Sequence, residues 1–269
     1  MPARDNGVMA QVGNDRSVKL HTGRSIPILG FGTFQLKGSD AYDAVRFALE
    51  TGYRHLDTAT GYGNEVEVGR AIRDSGVPRE EIYVTTKLPP DNAGRERSTI
   101  EASLRDLGLD QVDMWLIHWP PGGGPGVETW RAFLELRQEG KARDVGVSNY
   151  SPQQIETLIE ATGEAPAMNQ IRWSPAIYDG SRLEHSRRHG VVLEGYSPFR
   201  ASDLEDPVIG EIAAAHGVSV PQVILRWHID TGVVVIPKSA TPERIRSNFD
   251  VFGFQLTGEE VARLNGLGS

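Results

Sequence analysis

The sequence predicts one α/β domain closed into an eight-unit (β/α)8 barrel, and three observations carry that prediction. The chain has 269 residues, a length that suits either two ordinary domains or one barrel of this kind. Its hydrophobic period switches again and again between short apolar runs and helically spaced segments. No Pro/Gly/Ser-rich linker splits that alternation into halves.

Taken in order, the polar, mixed-charge stretch over residues 1–16 reads as a loose extension, and the barrel is expected over 17–269. SVKLHTGRSIPI reads as a small hairpin that closes the bottom of the barrel. Eight candidate strands follow: ILGFG (28–32), HLD (55–57), IYVTTK (82–87), VDMWLIH (112–118), DVGVS (144–148), AMNQ (167–170), VVLEGY (191–196) and VVVIPK (233–238). Between them lie helical segments with readable ends. In SDAYDAVRFALETG, Ser39 is the expected N-cap and Gly52 the stop; in SPQQIETLIEATG, Ser151 caps and Pro152 takes the first helical position. PPGGGPG (120–126) reads as a loop.

Composition removes several classes of function. The formal charge is −8 and the pI about 5.4, which argues against a general electrostatic hold on nucleic acid or anionic membrane. The absence of cysteine excludes disulfides, thiolate metal sites and cysteine nucleophiles. No stretch reaches the roughly 18–20 continuous apolar residues of a membrane span. A cytoplasmic monomer acting on a small molecule is expected, with no nucleic-acid or membrane partner.

In barrels of this architecture, chemistry sits at the C-terminal ends of the strands. The last residue or loop start after each proposed strand gives Asp57, Tyr62, Lys87, His118, Ser148, Asn149, Gln170, Tyr196 and Lys238, nearly all polar. Each has an ordinary local role open to it, as a turn cap, a loop aromatic or a snorkelling amine. Convergence argues otherwise. Asp57, Lys87 and His118 end the second, third and fourth strands, and neighbouring strands about 4.8 Å apart bring them around one point. Tyr62, a few residues past Asp57, leans over it.

These residues lie in strings that resemble the aldo-keto reductase family, in its bacterial form with a short C-terminal tail. GYRHLDTATGYGNEVEVGRAI, TTKL, DMWLIHWP, VGVSNY, MNQ, YSPF and IPKSATPERIRSNFDVF occur in the family's order and spacing over most of the chain. The resemblance implies a TIM barrel in which Asp57, Tyr62, Lys87 and His118 are the catalytic four.

The residue types suit carbonyl reduction on physical grounds as well. Hydride must reach carbon, and a proton must reach an oxygen that becomes anionic as it does so. A free tyrosine, with a pKa of about 10, is a poor donor near neutrality. A Lys87 ammonium beside it is expected to lower that value, Asp57 to keep the lysine charged, and His118 to orient the carbonyl oxygen.

No side chain donates hydride, so a carrier is needed. Neither a G-x-G-x-x-G nor a Walker A string is present; Gln35 stands where a third glycine would follow Gly30 and Gly32. The resemblance implies a nicotinamide cofactor on the barrel rim, with Ser148, Asn149 and Gln170 at the carboxamide and Tyr196, followed by Ser197, at the ring. Lys238, Ser239 and Arg244 offer two cations and a hydroxyl for a ribose phosphate, so NADPH (NADP+) is favoured over NADH. Asn248 is placed at the adenine; Ser247 departs from the glutamate common there.

Phe34 and Trp119 match aromatic positions that wall the substrate pocket in relatives, whereas Trp115 and Trp227 read as packing and His55 as a core or interface histidine. In HSRRH, His185 and His189 stand four apart on one helix face, but with no third ligand evident a plain surface helix is the reading, and no metal is expected. Short loops after the fourth and seventh strands, RWSPAIY without the histidine frequent before that proline, and an end at Ser269 soon after LNGLGS predict an open pocket of broad acceptance. Two other functions compete with carbonyl reduction: a nicotinamide-binding regulatory protein with little turnover, and a Schiff-base lyase using Lys87.

Overall fold

The structure, a computed structural model, describes residues 16–268, so all of the expected N-terminal extension except Arg16 lies outside the described residues. Ten strands occur among the described residues: β1 (Ser17–Lys19), β2 (Ser25–Pro27), β3 (Phe31–Gly32), β4 (His55–Asp57), β5 (Tyr83–Leu88), β6 (Val112–Ile117), β7 (Ala142–Ser148), β8 (Met168–Arg172), β9 (Val192–Tyr196) and β10 (Val234–Ile236). The helices are α1 (Gly38–Thr51), α2 (Glu65–Asp74), α3 (Glu96–Leu107), α4 (Val127–Gln138), α5 (Pro152–Thr162), α6 (Gly180–Arg188), α7 (Pro207–His216), α8 (Val220–Asp230), α9 (Pro242–Phe249) and α10 (Gly258–Asn265).

Strands β3 to β10 form one parallel sheet in sequence order. Every residue of β5 and β6 is buried, as befits strands covered on both faces. The seam between β3 and β10 closes through backbone bonds from Gly30 N to Val235 O (2.9 Å) and Gly32 N to Pro237 O (3.0 Å). A Cβ on Gly30 would stand 2.4 Å from His55 Nδ1. The glycine-rich string thus serves barrel closure, and its regular pairing is confined to β3 and a bridge at Leu29.

The antiparallel hairpin β1–β2 meets the N-terminal ends of the strands, as expected. Arg24 bonds Asp144 at 3.2 Å, and the His21 ring lies 3.1 Å from Gly190 O just before β9. Trp115 stacks on Phe133 of α4 with ring centres 3.7 Å apart, and Trp227 packs against Trp173; all four are fully buried. Truncating such a side chain to alanine costs about 3–5 kcal/mol.

Helix ends follow local chemistry. Ser151 and Gln154 make the reciprocal cap of α5, with Pro152 at its first position. Gly52, at φ +119°, ends α1 as expected. Ser39 is not the cap of that helix: Gly38, at φ +50°, turns the chain in one residue earlier, which puts Ser39 inside the first turn and leaves Lys37 as the N-cap without a side-chain bond. Among the described residues no single helix is long and apolar enough to cross a membrane.

Candidate active site

The barrel topology brings the ends of β4, β5 and β6 to one place. Asp57 closes β4, and Lys87 lies one residue before the end of β5, fully buried. Lys87 Nζ donates to Asp57 Oδ1 at 2.7 Å and to Thr58 O at 2.8 Å. Tyr62 ends a single turn of 3₁₀-helix, Thr60–Tyr62, with its amide bonded to Ala59 O. That turn presents the phenol hydroxyl 3.4 Å from Lys87 Nζ. His118, the first residue past β6, packs edge-on to the Tyr62 ring at 5.6 Å. The structure therefore brings together Asp57, Tyr62, Lys87 and His118, four of the nine residues that the strand ends gave.

Their electrostatics depart from the simplest expectation. Burial is the largest single influence on Lys87 and would strip its charge, but Asp57 and Tyr62 together outweigh it and hold the amine above its ordinary value. Burial raises the Asp57 carboxyl against the pull of Lys87 and a bond from Gln170. Tyr62, expected to be acidified by Lys87, is instead raised. Burial is the largest cause, and the Asp57 charge cancels part of what Lys87 contributes. Burial, followed by the Lys87 charge, lowers His118 to about 3, so its ring is neutral near pH 7.

Above this group lies a cavity of about 390 Å³ lined by Asp57, Tyr62, His118, Ser148, Asn149, Gln170, Tyr196, Ser197 and Lys238. Phe34 and Trp119, both about half exposed, form its outer walls. Ser239, Arg244 and Asn248 are not among the lining residues. Ser239 precedes α9, while Arg244 lies exposed and Asn248 buried on that helix. Among the described residues, neither Lys238 nor Arg244 has an acidic partner.

Polar groups along one wall are already knit together. Asn149 donates to His118 O (3.1 Å) and Ser148 Oγ (3.0 Å), and its carbonyl oxygen accepts from the Tyr196 hydroxyl at 2.9 Å. Gln170 gives both amide hydrogens to carboxyl oxygens, one to Asp57 Oδ2 at 2.7 Å and one to Glu194 Oε1.

Glu194, fully buried in β9, was not singled out by sequence; the available signal was a charged residue inside the apolar run VVLEGY. Burial and then the Asp57 charge push its carboxyl up to about 8. Its Oε2 has no hydrogen-bond partner among the described residues and lies 3.8 Å from His55 Nε2. His55, lowered to about 3 by burial and Lys87, is a buried neutral ring, as read from its apolar strand.

Backbone strain gathers at the same place. Four non-glycine residues among those described have positive φ, and three of them, Gln35 (67°), Asn149 (64°) and Ser197 (52°), line the cavity. Such conformations cost of order 1–3 kcal/mol each and persist where the surrounding structure over-determines them.

Residues 28–268 match the family model described as the aldo/keto reductase family. An aldo-keto reductase of Mycolicibacterium smegmatis is 46% identical over 254 residues, covering 93% of this chain and 92% of that protein. The 2,5-diketo-D-gluconic acid reductase B of a Corynebacterium species is 42% identical over 259 residues, covering 94% of each chain. The structure superposes on a Bombyx mori aldo-keto reductase solved in complex with NADP, with a TM-score of 0.87, 37% identity, and coverage of 93% of this chain and 92% of that one.

Proposed function

This chain belongs to the aldo/keto reductase family, and on that premise we propose that it reduces small aldehydes and ketones to alcohols with NADPH. The observation that carries the reading is the buried Asp57–Lys87 ion pair with the Tyr62 hydroxyl 3.4 Å from the amine, at the floor of the cavity.

Tyr62 is the general acid. Its raised pKa keeps the proton on the phenol until an alkoxide forms nearby, and the Lys87 ammonium then stabilises the tyrosinate left behind. Asp57 holds Lys87 charged and aimed. His118, neutral, offers one ring nitrogen to the carbonyl oxygen. Phe34 and Trp119 exclude water from the outer side.

The residues present fit a nicotinamide cofactor. With both hydrogens of Gln170 taken up by the carboxyl oxygens of Asp57 and Glu194, only its carbonyl oxygen remains to receive a carboxamide N–H. Ser148 and Asn149 retain spare acceptor capacity beside it. Tyr196, with Ser197 next to it, provides the ring face. Lys238 and Arg244, lacking acidic partners among the described residues, and Ser239 just before α9 suit a ribose phosphate, with Asn248 at the adenine. When bound, the cofactor supplies the hydride.

The Schiff-base alternative is disfavoured, because Lys87 is held charged by Asp57 and donates to three oxygens, and a nucleophilic lysine must lose its proton. The test is turnover. NADPH and NADH are titrated first, and then a carbonyl panel that includes 2,5-diketo-D-gluconate, named for the relative's substrate, is run with each. Tyr62→Phe should lose about 10²–10⁴-fold in kcat while keeping cofactor affinity. Unchanged turnover in that variant removes Tyr62 from the role. NADPH binding with no turnover on any substrate favours the regulatory alternative.

A further inference from the structure

The histidine pair of HSRRH has a third neighbour that sequence proximity hides. His185 lies on α6 and His189 caps its end, so their rings share a face, with centres 4.6 Å apart. Glu156, on the preceding helix α5, reaches them from the side. Its Oε1 lies 3.0 Å from His185 Nε2 and 4.0 Å from His189 Nε2. One ligand atom from each of the three residues lies within 4.8 Å of the others.

We propose that Glu156, His185 and His189 bind a divalent transition-metal ion that clamps α5 to α6. Metal–ligand bonds near 2.1 Å in a tetrahedral site put neighbouring ligand atoms about 3.4 Å apart. The carboxylate and His185 are already that close, and His189 needs only a side-chain adjustment of about 1 Å on the same basis. Two imidazoles and one carboxylate suit Zn²⁺, Co²⁺ or Ni²⁺, whereas Mg²⁺ and Ca²⁺ take oxygen ligands. Glu156 is half exposed, so water can complete the shell from outside.

Nearby cations are directed elsewhere. Arg187 donates to Thr231 O at 2.7 Å, Arg188 pairs with Glu184 at 3.5 Å, and Arg182 donates to Tyr150 O at 2.9 Å. His185 Nδ1 is buried without a hydrogen-bond partner among the described residues. The ring thus lacks the outer hydrogen bond that stiffens tight zinc ligands, and the site is weaker than a structural zinc centre. The site is built from the outer helices that precede and follow β8, and it takes no part in carbonyl reduction.

The experiment uses the full chain, stripped with a chelator and titrated with Zn²⁺ by calorimetry, with thermal unfolding run in parallel. The expected result is one equivalent bound and a raised unfolding midpoint, with no effect of Mg²⁺. His189→Ala and Glu156→Gln, both at partly exposed positions, should each weaken zinc at least about 10-fold and abolish the midpoint shift. Reductase turnover without zinc should be unchanged in both. No uptake by the wild-type chain, or affinity unaltered in both variants, overturns the proposal.

Discussion

Glu194→Gln isolates a charge that the fold keeps switched off. Burial, reinforced by the charge of Asp57, holds the Glu194 carboxyl up to about 8 against an ordinary 4.5. Between those values the folded chain keeps a proton that the unfolded chain has released, so the folded state loses stability as pH rises through that window and the loss levels off above about 8. At roughly 1.4 kcal/mol per unit, the cost is about 3 kcal/mol at pH 7 and approaches about 5 kcal/mol above pH 8. Glutamine has the same size and does not ionise. Its amide nitrogen would replace Oε2, 3.8 Å from His55 Nε2 and without an acceptor, which costs about 1–3 kcal/mol. That cost is the same at every pH, so the pH slope is the readout. Asp57, Lys87, His55 and Gln170, which face the group, are unchanged in the variant. Urea unfolding of both proteins from pH 5 to pH 9 should show the variant gaining on the wild type by about 4 kcal/mol, nearly all of it below pH 8. A difference constant to within about 1 kcal/mol over that range would mean that Glu194 is ionised in the folded chain, and the reasoning fails.

Three further outcomes are expected. Lys238→Ala and Arg244→Ala should each weaken NADPH by about 1.5–3 kcal/mol in a binding titration while leaving NADH nearly unchanged, since each removes a charge-assisted bond to the extra phosphate; equal weakening of both cofactors refutes the phosphate assignment. Because His118 is lowered to about 3, the profile of kcat/KM should be flat from pH 5 to pH 8 as far as this ring is concerned. An inflection near 6.5 that disappears in His118→Gln would show the ring titrating normally. Gly69→Ala should destabilise by at least about 1–3 kcal/mol in denaturant unfolding, because its Cβ would fall 2.2 Å from Leu107 O where α2 meets α3. Helix propensity alone favours alanine by up to about 1 kcal/mol, so a stabilised variant would mean that the two helices separate at little cost.

What was legible in the sequence is what local chemistry decides. The apolar runs placed all eight barrel strands, since a strand buried on both faces must be apolar nearly throughout. Ser151, Pro152 and Gln154 declare a helix start within four residues. Asp57, Lys87 and His118 could be read only together: each alone has ordinary structural uses, but they end three neighbouring strands. Glu194 could not. Its burial depends on Gln170 and His55 from two other strands, and a lone charge in a strand reads equally as a rim position. Glu156 escaped for the same reason, standing 29 residues from its histidine partner. The positive φ values of Gln35, Asn149 and Ser197 carry no marker, because none is glycine.

The raised pKa of Tyr62 changes the account of how the centre works. From spacing alone, an ammonium next to a phenol should acidify it, but spacing does not report desolvation or the counter-charge. In the folded chain the Lys87 cation is matched by Asp57, and Tyr62, His118, His55 and Glu194 are neutral near pH 7, so the buried cluster sums to zero charge. A neutral cluster costs far less to bury than one with an unpaired ion. It also leaves Tyr62 with its proton, the state that a general acid needs before reaction. In the proposed reaction, the advantage of Lys87 would appear only when negative charge develops on the carbonyl oxygen and passes to the phenol. At that moment, the amine 3.4 Å away acts in a buried setting where a charge interaction is several times stronger than in water. Stabilisation confined to that state speeds the chemical step, whereas a phenol already acidified at rest would have given up the proton it must deliver.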